Sequence, residues 1–217
     1  MLDVEWVLES LRYLARARAK TFGANGHHFL MNSVLAEPVV GAFEQANDIR
    51  LPADYRHFLT TIGNGGAGPC YGVFPLGEMD GTRERLHHWA QNDGFVGKLS
   101  EPFPFTSDWN DLSGKPAEEH LGEDESEYDT RMAQFEERYW SSSLVNGAIP
   151  VCHKGCAIRV WLIVTGPQTG LLWRDGRAEF SGLSPARLKD NSPATFSLWY
   201  REWLQDALCE AGLAKLR

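Results

Sequence analysis

The densest group of side chains able to bind a metal or act as nucleophiles lies at residues 152–156, which read Cys-His-Lys-Gly-Cys. Thiolate and imidazole are preferred zinc ligands, so Cys152, His153 and Cys156 offer three donors. A structural zinc site usually takes four ligands from two paired motifs, and the sequence has no second such pair. Lys154 adds a positive charge. The spacing therefore favours a turn between two strands with buried thiols, and we expect no metal.

A second candidate is the glycine-rich stretch 63–68, which formally matches the dinucleotide-binding pattern G-x-G-x-x-G. That motif requires a strand before it and a helix after it, so that the helix N-terminus can hold the pyrophosphate. Here the order is reversed, because a helical apolar pattern precedes the glycines and an apolar run at 71–76 follows them. The sequence predicts that Gly63 ends a helix in a left-handed conformation. We expect a tight turn and no bound nucleotide.

No nucleophile is paired with a base in a pattern typical of hydrolases. The sequence contains no G-x-S-x-G nucleophile elbow. The glycines at 166–170 are not followed by Gly-Lys-Ser/Thr, which excludes a P-loop. The sequence thus predicts no catalytic residue and no cofactor.

Negative charge is concentrated in one segment. The formal net charge is -8, and seven of the 29 acidic residues lie between 118 and 129 without a Lys or Arg among them. One interpretation is a solvated loop. The other is a patch that attracts a cationic partner and raises its association rate. The candidate partner-binding residues are Glu118, Glu119, Glu123, Asp124, Glu125, Glu127 and Asp129.

Composition and charge narrow the class of protein. Hydrophobic residues make up 43% and aromatic residues 12%, which excludes global disorder, and eight Trp favour an ordered core. The acidic balance argues against direct nucleic-acid binding. Acids interrupt the N-terminal apolar pattern, which is therefore not a secretory signal, and no stretch is long and apolar enough for a membrane span. We expect a cytoplasmic protein with reduced thiols.

Apolar spacing predicts the main elements. Helices are expected at 2–20, from 51–52 to Gly63, in the second half of 117–140, and from a Ser192 N-cap to Gly212, with a further helix possible at 82–90. Strands are expected at 71–76, 148–152, 157–165 and 171–174, with 102–105 extended. The run at 157–165 is nearly all apolar, which indicates a strand covered on both faces. Asp175-Gly176 predicts a tight hairpin leading into 177–180.

These strands cluster instead of alternating regularly with helices. Such an order favours an α+β fold, with a mixed or largely antiparallel sheet and packed helices. The sequence shows no repeat and no low-complexity linker, so we expect one domain over 1–217.

Several of these segments together resemble the SUKH superfamily, which includes fungal cell-wall assembly regulators and bacterial toxin-immunity proteins. The first block comprises 51–59 (LPADYRHFL), 62–69 (IGNGGAGP) and 71–77 (YGVFPLG). Later matches are 102–105 (PFPF) with Trp109-Asn110, 149–152 (IPVC) with Gly155-Cys156, 162–167 (LIVTGP), 170–173 (GLLW) and the aromatic helix around 196–204. The resemblance covers roughly 38–205, and the acidic segment 117–140 departs from it as a helical insertion.

The resemblance implies an α+β fold without catalytic residues. In bacteria it implies a cytoplasmic immunity protein that binds and blocks a toxin domain, often a nuclease. Nucleases carry basic surfaces because they hold phosphates, and an acidic patch would complement such a surface. One alternative is a regulatory or scaffold module acting on an endogenous protein. A third possibility, a hydrolase, would require a deep polar pocket with perturbed titratable groups.

Overall fold

The computed structural model describes residues 1–82, 85–88, 95–117 and 125–213. Its helices are α1 (Val4–Ala17), α2 (Ala24–His27), α3 (Glu37–Asn47), α4 (Ala53–Thr61), α5 (Glu125–Tyr139) and α6 (Phe196–Glu210). Its strands are β1 (Glu78–Thr82), β2 (Arg85–His88), β3 (Ala148–Gly155), β4 (Ile158–Ile163), β5 (Leu172–Asp175) and β6 (Leu183–Pro185). The predicted α+β class is confirmed.

The central feature is a four-stranded antiparallel sheet in the order β3-β4-β5-β6. Successive side chains of a strand point to opposite faces. In β4, Val160 and Leu162 accordingly enter one apolar core, while Trp161 and Ile163 enter another. All four are buried, which confirms that this strand is covered on both faces.

The larger core lies between the sheet and helices α1, α4 and α6. Helix α6 contributes the aromatic stripe predicted for it, and Phe196 and Tyr200 pack on Phe58 of α4 with ring centroids 4.9 and 5.1 Å apart. The Tyr200 hydroxyl donates to the carbonyl of Ala67 at 2.9 Å, so this buried polar group is satisfied. The N-cap of α6 is Thr195, three residues later than the predicted Ser192.

The glycine-rich stretch is a turn whose backbone amides are already occupied. The amides of Asn64, Gly65, Gly66 and Ala67 all donate to carbonyl groups of the chain, at 2.8 to 3.2 Å. Donors engaged in this way cannot also hold a phosphate, which agrees with the predicted turn. Helix α4 ends before it as expected.

Gly63 is not left-handed, so the prediction for this residue was wrong. The left-handed glycines are Gly65 (φ +73°) and Gly66 (φ +108°). The constraint on Gly63 is space, because a Cβ there would lie 2.7 Å from the carbonyl oxygen of Asn32. A glycine in the sequence signals the end of a helix. Whether that glycine is needed for its positive φ or for its lack of a side chain is decided by a packing partner, here 31 residues away.

Two predicted elements were wrong. Residues 71–76 form no strand: only Val73 pairs, through isolated bridges to Gly66 and Cys152. The possible helix at 82–90 is replaced by the antiparallel hairpin β1-β2, with 83–84 and 89–90 outside the described residues. Val73 pairs with distant chain, whereas β1 and β2 pair with each other as neighbouring strands.

The tight hairpin at Asp175-Gly176 was also wrong. Gly176 has φ −107°, which is not the positive φ that such a turn needs, and a 3-10 turn at Arg177–Glu179 follows it. The chain then returns as β6, which pairs with β5. The reason is that the Asp175 carboxylate is buried and bonded to Arg177, so this residue belongs to the protein interior.

Helix α3 was not predicted. It buries only Val40 and Glu44, and it contains Gly41, so its apolar pattern is weak. Its stability comes from contact with α4 and from the Glu44 carboxylate, which accepts from the amide of Leu51 at 2.9 Å.

Candidate partner-binding surface

Part of the predicted acidic surface lies at the start of α5. Glu125 begins the helix, and the side chains of Glu127 and Asp129 are exposed in its first two turns. Acidic residues near a helix N-terminus are stabilised by the helix dipole. The structure therefore places these charges on an ordered helix, and not on a solvated loop. Glu118, Glu119, Glu123 and Asp124 lie outside the described residues.

Helix α5 is attached to the protein by a narrow aromatic stripe near its C-terminal end. Phe135 and Tyr139 are its buried residues, and their rings stack at 5.0 Å. The Tyr139 ring also stacks on Trp109 at 5.5 Å. Trp109 is held in turn by a bridge to Leu183 of β6, with paired backbone hydrogen bonds of 2.9 and 2.8 Å. The sheet thus positions the C-terminal half of the helix.

A buried arginine completes this attachment. The Arg177 guanidinium donates to both carboxylate oxygens of Asp175, at 2.9 and 2.7 Å, and to the carbonyl of Tyr139 at 3.4 Å. A cation at a helix C-terminus interacts favourably with the dipole. The guanidinium also lies over the ring of Trp140, 5.0 Å from its centroid. This one side chain therefore joins the end of α5 to β5.

The Asp175 carboxylate carries a further bond, from the indole Nε1 of Trp161 in β4 at 3.1 Å. Asp175 is 2% exposed and Arg177 is also 2% exposed. Buried charges are tolerated only when they are paired and hydrogen-bonded, as they are here. The result is a rigid polar joint between two strands and the helix.

Two side-chain contacts join α5 to the loop beside it. The Tyr139 hydroxyl donates to Asn110 Oδ1 at 2.7 Å, and Arg138 Nη1 contacts Asp111 Oδ2 at 3.1 Å. The Ser113 hydroxyl and amide, followed by Arg138, lower the pKa of the Asp111 carboxyl. These contacts keep the helix end in register with the loop while the other end of α5 presents its acids to solvent.

The acidic side chains at the start of α5 are exposed, and the other end of the helix is anchored to the sheet. Sequence reasoning found the acids through their clustering. The spacing of Phe135 and Tyr139 on one helical face was also found. Arg177 was missed as an anchoring residue, because Asp175-Gly176 has the appearance of a turn and the contact from Arg177 to Tyr139 spans 38 residues of chain.

The Cys-His-Lys-Gly-Cys segment does not form a metal site. Cys152 is buried in β3, whereas Cys156 is exposed in the turn after that strand. Across the described residues, no group of three or more His, Cys, Asp or Glu side chains is arranged to hold a metal ion. The predicted turn between two strands is confined to residues 156–157, because residues 152–155 lie within β3. The prediction of buried thiols holds for Cys152 and was wrong for Cys156.

No helix in the described part of the chain has the length and apolar character needed to cross a membrane. Comparisons with protein-family models, with curated proteins and with solved structures find no match to this chain. The resemblance to the SUKH superfamily therefore rests on the sequence motifs alone, and what it implies about function is a proposal.

Proposed function

We propose that this protein is a non-enzymatic, cytoplasmic protein-binding domain that neutralises a cognate bacterial toxin by direct binding. The partner is a basic toxin domain, and the contact includes the N-terminal half of α5 with the acidic segment before it. The observation that carries the proposal is the exposure of Glu127 and Asp129 on a helix whose other end is anchored to the sheet. The SUKH resemblance supplies the class of partner.

Charge complementarity predicts how fast the two proteins associate and how that rate depends on salt. A toxin that cuts nucleic acid must hold phosphates with Lys and Arg, so its surface attracts acids. Attraction between opposite potentials raises the association rate more than it changes the lifetime of the complex. The effect weakens as salt rises, because the screening length is about 8 Å at physiological ionic strength. Association should therefore be fast at low salt and slower at high salt.

The first experiment tests binding itself. The C-terminal domain encoded by the adjacent reading frame is expressed with and without this protein. Rescue of growth and co-purification are expected. If neither occurs, the immunity function is wrong. If instead the protein co-purifies with an endogenous protein, and its deletion causes a phenotype in cells without the toxin, a regulatory or scaffold role is favoured.

The second experiment tests the surface. The double variant Glu127→Lys, Asp129→Lys should lower the association rate constant about tenfold at low salt, with a smaller effect on dissociation. The matched control is Glu5→Lys, Glu9→Lys, which changes the net charge equally at exposed positions of α1. Stopped-flow binding measures both. Equal rates for the two double variants would place the contact elsewhere while leaving the binding function intact.

A further inference from the structure

Two cysteines that are far apart in sequence meet beside β3. Residues 69–74 run along this strand: the Phe74 amide donates to Val151 at 2.9 Å, and Val73 bridges to Cys152. The Cys152 thiol lies 3.2 Å from the carbonyl oxygen of Pro69, the residue before Cys70. The Cys152 side chain influences the pKa of the Cys70 thiol more than any other group does, as expected of two neighbouring side chains. The fold therefore builds a pair of adjacent reduced thiols.

The two thiols occupy different environments. Cys70 is half-buried in a tight turn, where the amide of Gly72 donates to Pro69 at 3.0 Å, whereas Cys152 is fully buried in the strand. The hydrogen bond from Cys152 and the charge of Lys154 lower the pKa of Cys70 to about 7, although burial opposes them. A large fraction of Cys70 is thus thiolate at neutral pH, and the thiolate is the reactive form.

We propose that Cys70 and Cys152 form a redox-active pair, in which Cys70 attacks a low-molecular-weight disulfide and Cys152 converts the product to an intramolecular disulfide. The division of roles follows from access, since an oxidant in solution reaches the half-buried sulfur before the buried one. The pair lies on residues 69–74 and β3 and not on α5, so this proposal is independent of the proposed binding function.

The chemistry balances with glutathione disulfide as the oxidant. The Cys70 thiolate attacks one sulfur, a Cys70–glutathione bond forms, and the first glutathione thiolate leaves. Cys152 then loses its proton to solvent and attacks the Cys70 sulfur, so that the protein disulfide forms and the second glutathione thiolate leaves. The two protein thiols lose two electrons and two protons, and two glutathione molecules are produced.

Formation of the bond requires the sulfurs to approach to about 2.05 Å. The movement falls to the turn, because Cys70 lies at a chain reversal whereas Cys152 lies within β3. Oxidation would join the turn covalently to β3 beneath the exposed ring of Tyr71, which stacks on His153 at 5.8 Å and contacts Phe22 at 5.4 Å. The surface carrying these rings would then be held in one arrangement until a reductant opened it.

The test treats the full-length native protein with glutathione disulfide, quenches with iodoacetamide and maps peptides by mass spectrometry. A linked Cys70–Cys152 peptide is expected in the wild type, and dithiothreitol should remove it. Cys152→Ala should stop at glutathione attached to Cys70, with complete loss of the linked peptide. Cys70→Ser should leave Cys152 unmodified. The matched controls Cys156→Ser and Cys209→Ser change exposed cysteines and should retain the link.

Three results would overturn the proposal: absence of the linked peptide from oxidised wild type, a link from Cys70 to Cys156 instead, or glutathione on Cys152 in Cys70→Ser. The wild type and the two exposed-cysteine controls decide the question even if Cys152→Ala fails to fold, because their readout does not depend on replacing a buried side chain.

Discussion

At the scale of single residues, burial changes the chemistry of His27. The ring contacts Phe29 and Trp203 at 5.2 and 5.9 Å, and its Nδ1 accepts the amide of Phe29 at 3.0 Å. An accepting nitrogen cannot carry a proton. Burial, followed by the charge of neighbouring His28, lowers the pKa of His27 to about 4. At a pH between about 4 and 6.5, His27 is therefore neutral in the folded protein and protonated in the unfolded chain.

Stability should consequently fall in mild acid. Because the folded pKa of His27 is below the unfolded value near 6.5, its contribution is complete above pH 6.5 and is lost as pH falls towards 4. Between pH 7 and pH 5 we expect a loss of about 1–2 kcal/mol from this group. Urea unfolding at both pH values measures it. His27→Gln should lose this part of the pH dependence, whereas His28→Gln, at an exposed position, should keep most of it. An unchanged pH dependence in His27→Gln would contradict the assignment.

The thiol pair makes a separate prediction at the same scale. The rate of Cys70 alkylation should rise with a midpoint near pH 7. Cys152→Ala removes the strongest influence and should move the midpoint up towards the ordinary thiol value. Lys154→Gln removes a weaker one and should move it less. Peptide-resolved alkylation kinetics measure all three, and a larger shift in Lys154→Gln would mean that the lysine charge, and not the neighbouring thiol, dominates the pKa of Cys70.

At the scale of elements, α5 depends on what lies beneath its C-terminal end. Most of the helix surface faces solvent and does not pack on a core. Its position on the protein is therefore set by Phe135, Tyr139 and the Arg177 guanidinium. Breaking a buried ion pair leaves an uncompensated charge in the interior, whereas an exposed ion pair contributes little. The neighbouring Arg174 provides the comparison, since it bonds to Glu179 at 2.9 Å near the surface.

Arg177→Met should therefore lower the free energy of unfolding by about 3–5 kcal/mol, because Asp175 stays buried without its cation. Arg174→Met should cost at most about 1 kcal/mol. Urea unfolding measures both, and hydrogen exchange should show α5 losing protection only in Arg177→Met. Equal costs for the two arginines would mean that the buried pair is not what holds the helix.

At the scale of the whole molecule, the sheet is shared by two cores. Alternate residues of β4 serve each of them, so damage to one face should be transmitted to the other through the same strand. Helix α6 lies on the larger core, and α5 lies on the side of the smaller core through its contact with Trp109. The two helices should therefore unfold together.

Leu162→Ala, in the larger core, tests this cooperativity. The variant should lower the free energy of unfolding by about 2–5 kcal/mol. The free energy of the opening that allows amide hydrogen exchange should fall by the same amount in α5 and in α6. Amide hydrogen exchange, measured residue by residue in α5 and α6, shows whether the two helices open together. If only α6 lost protection, the two faces of the sheet would be separate folding units, and the acidic helix would be insulated from the larger core.

Much of the architecture follows from short-range patterns. Helical spacing identified α1, α4, α6 and the second half of 117–140, and the apolar runs identified β3 and β4, because these elements bury one continuous face or two. The clustering of acids identified the start of α5 as a charged surface. The sequence pattern that produces each of these features lies within the segment itself.

What only the tertiary structure decided depends on partners that lie far along the chain. Residues 71–76 pair at a single position, Arg177 reaches the carbonyl of Tyr139, and the Cys152 thiol reaches the carbonyl of Pro69 beside Cys70. None of these outcomes is visible in a local repeat. A hydrogen bond, an ion pair or a thiol contact is specific to its partner, whereas hydrophobic burial requires only an apolar face. Local periodicity therefore determined the elements, and long-range polar pairing determined which residues meet.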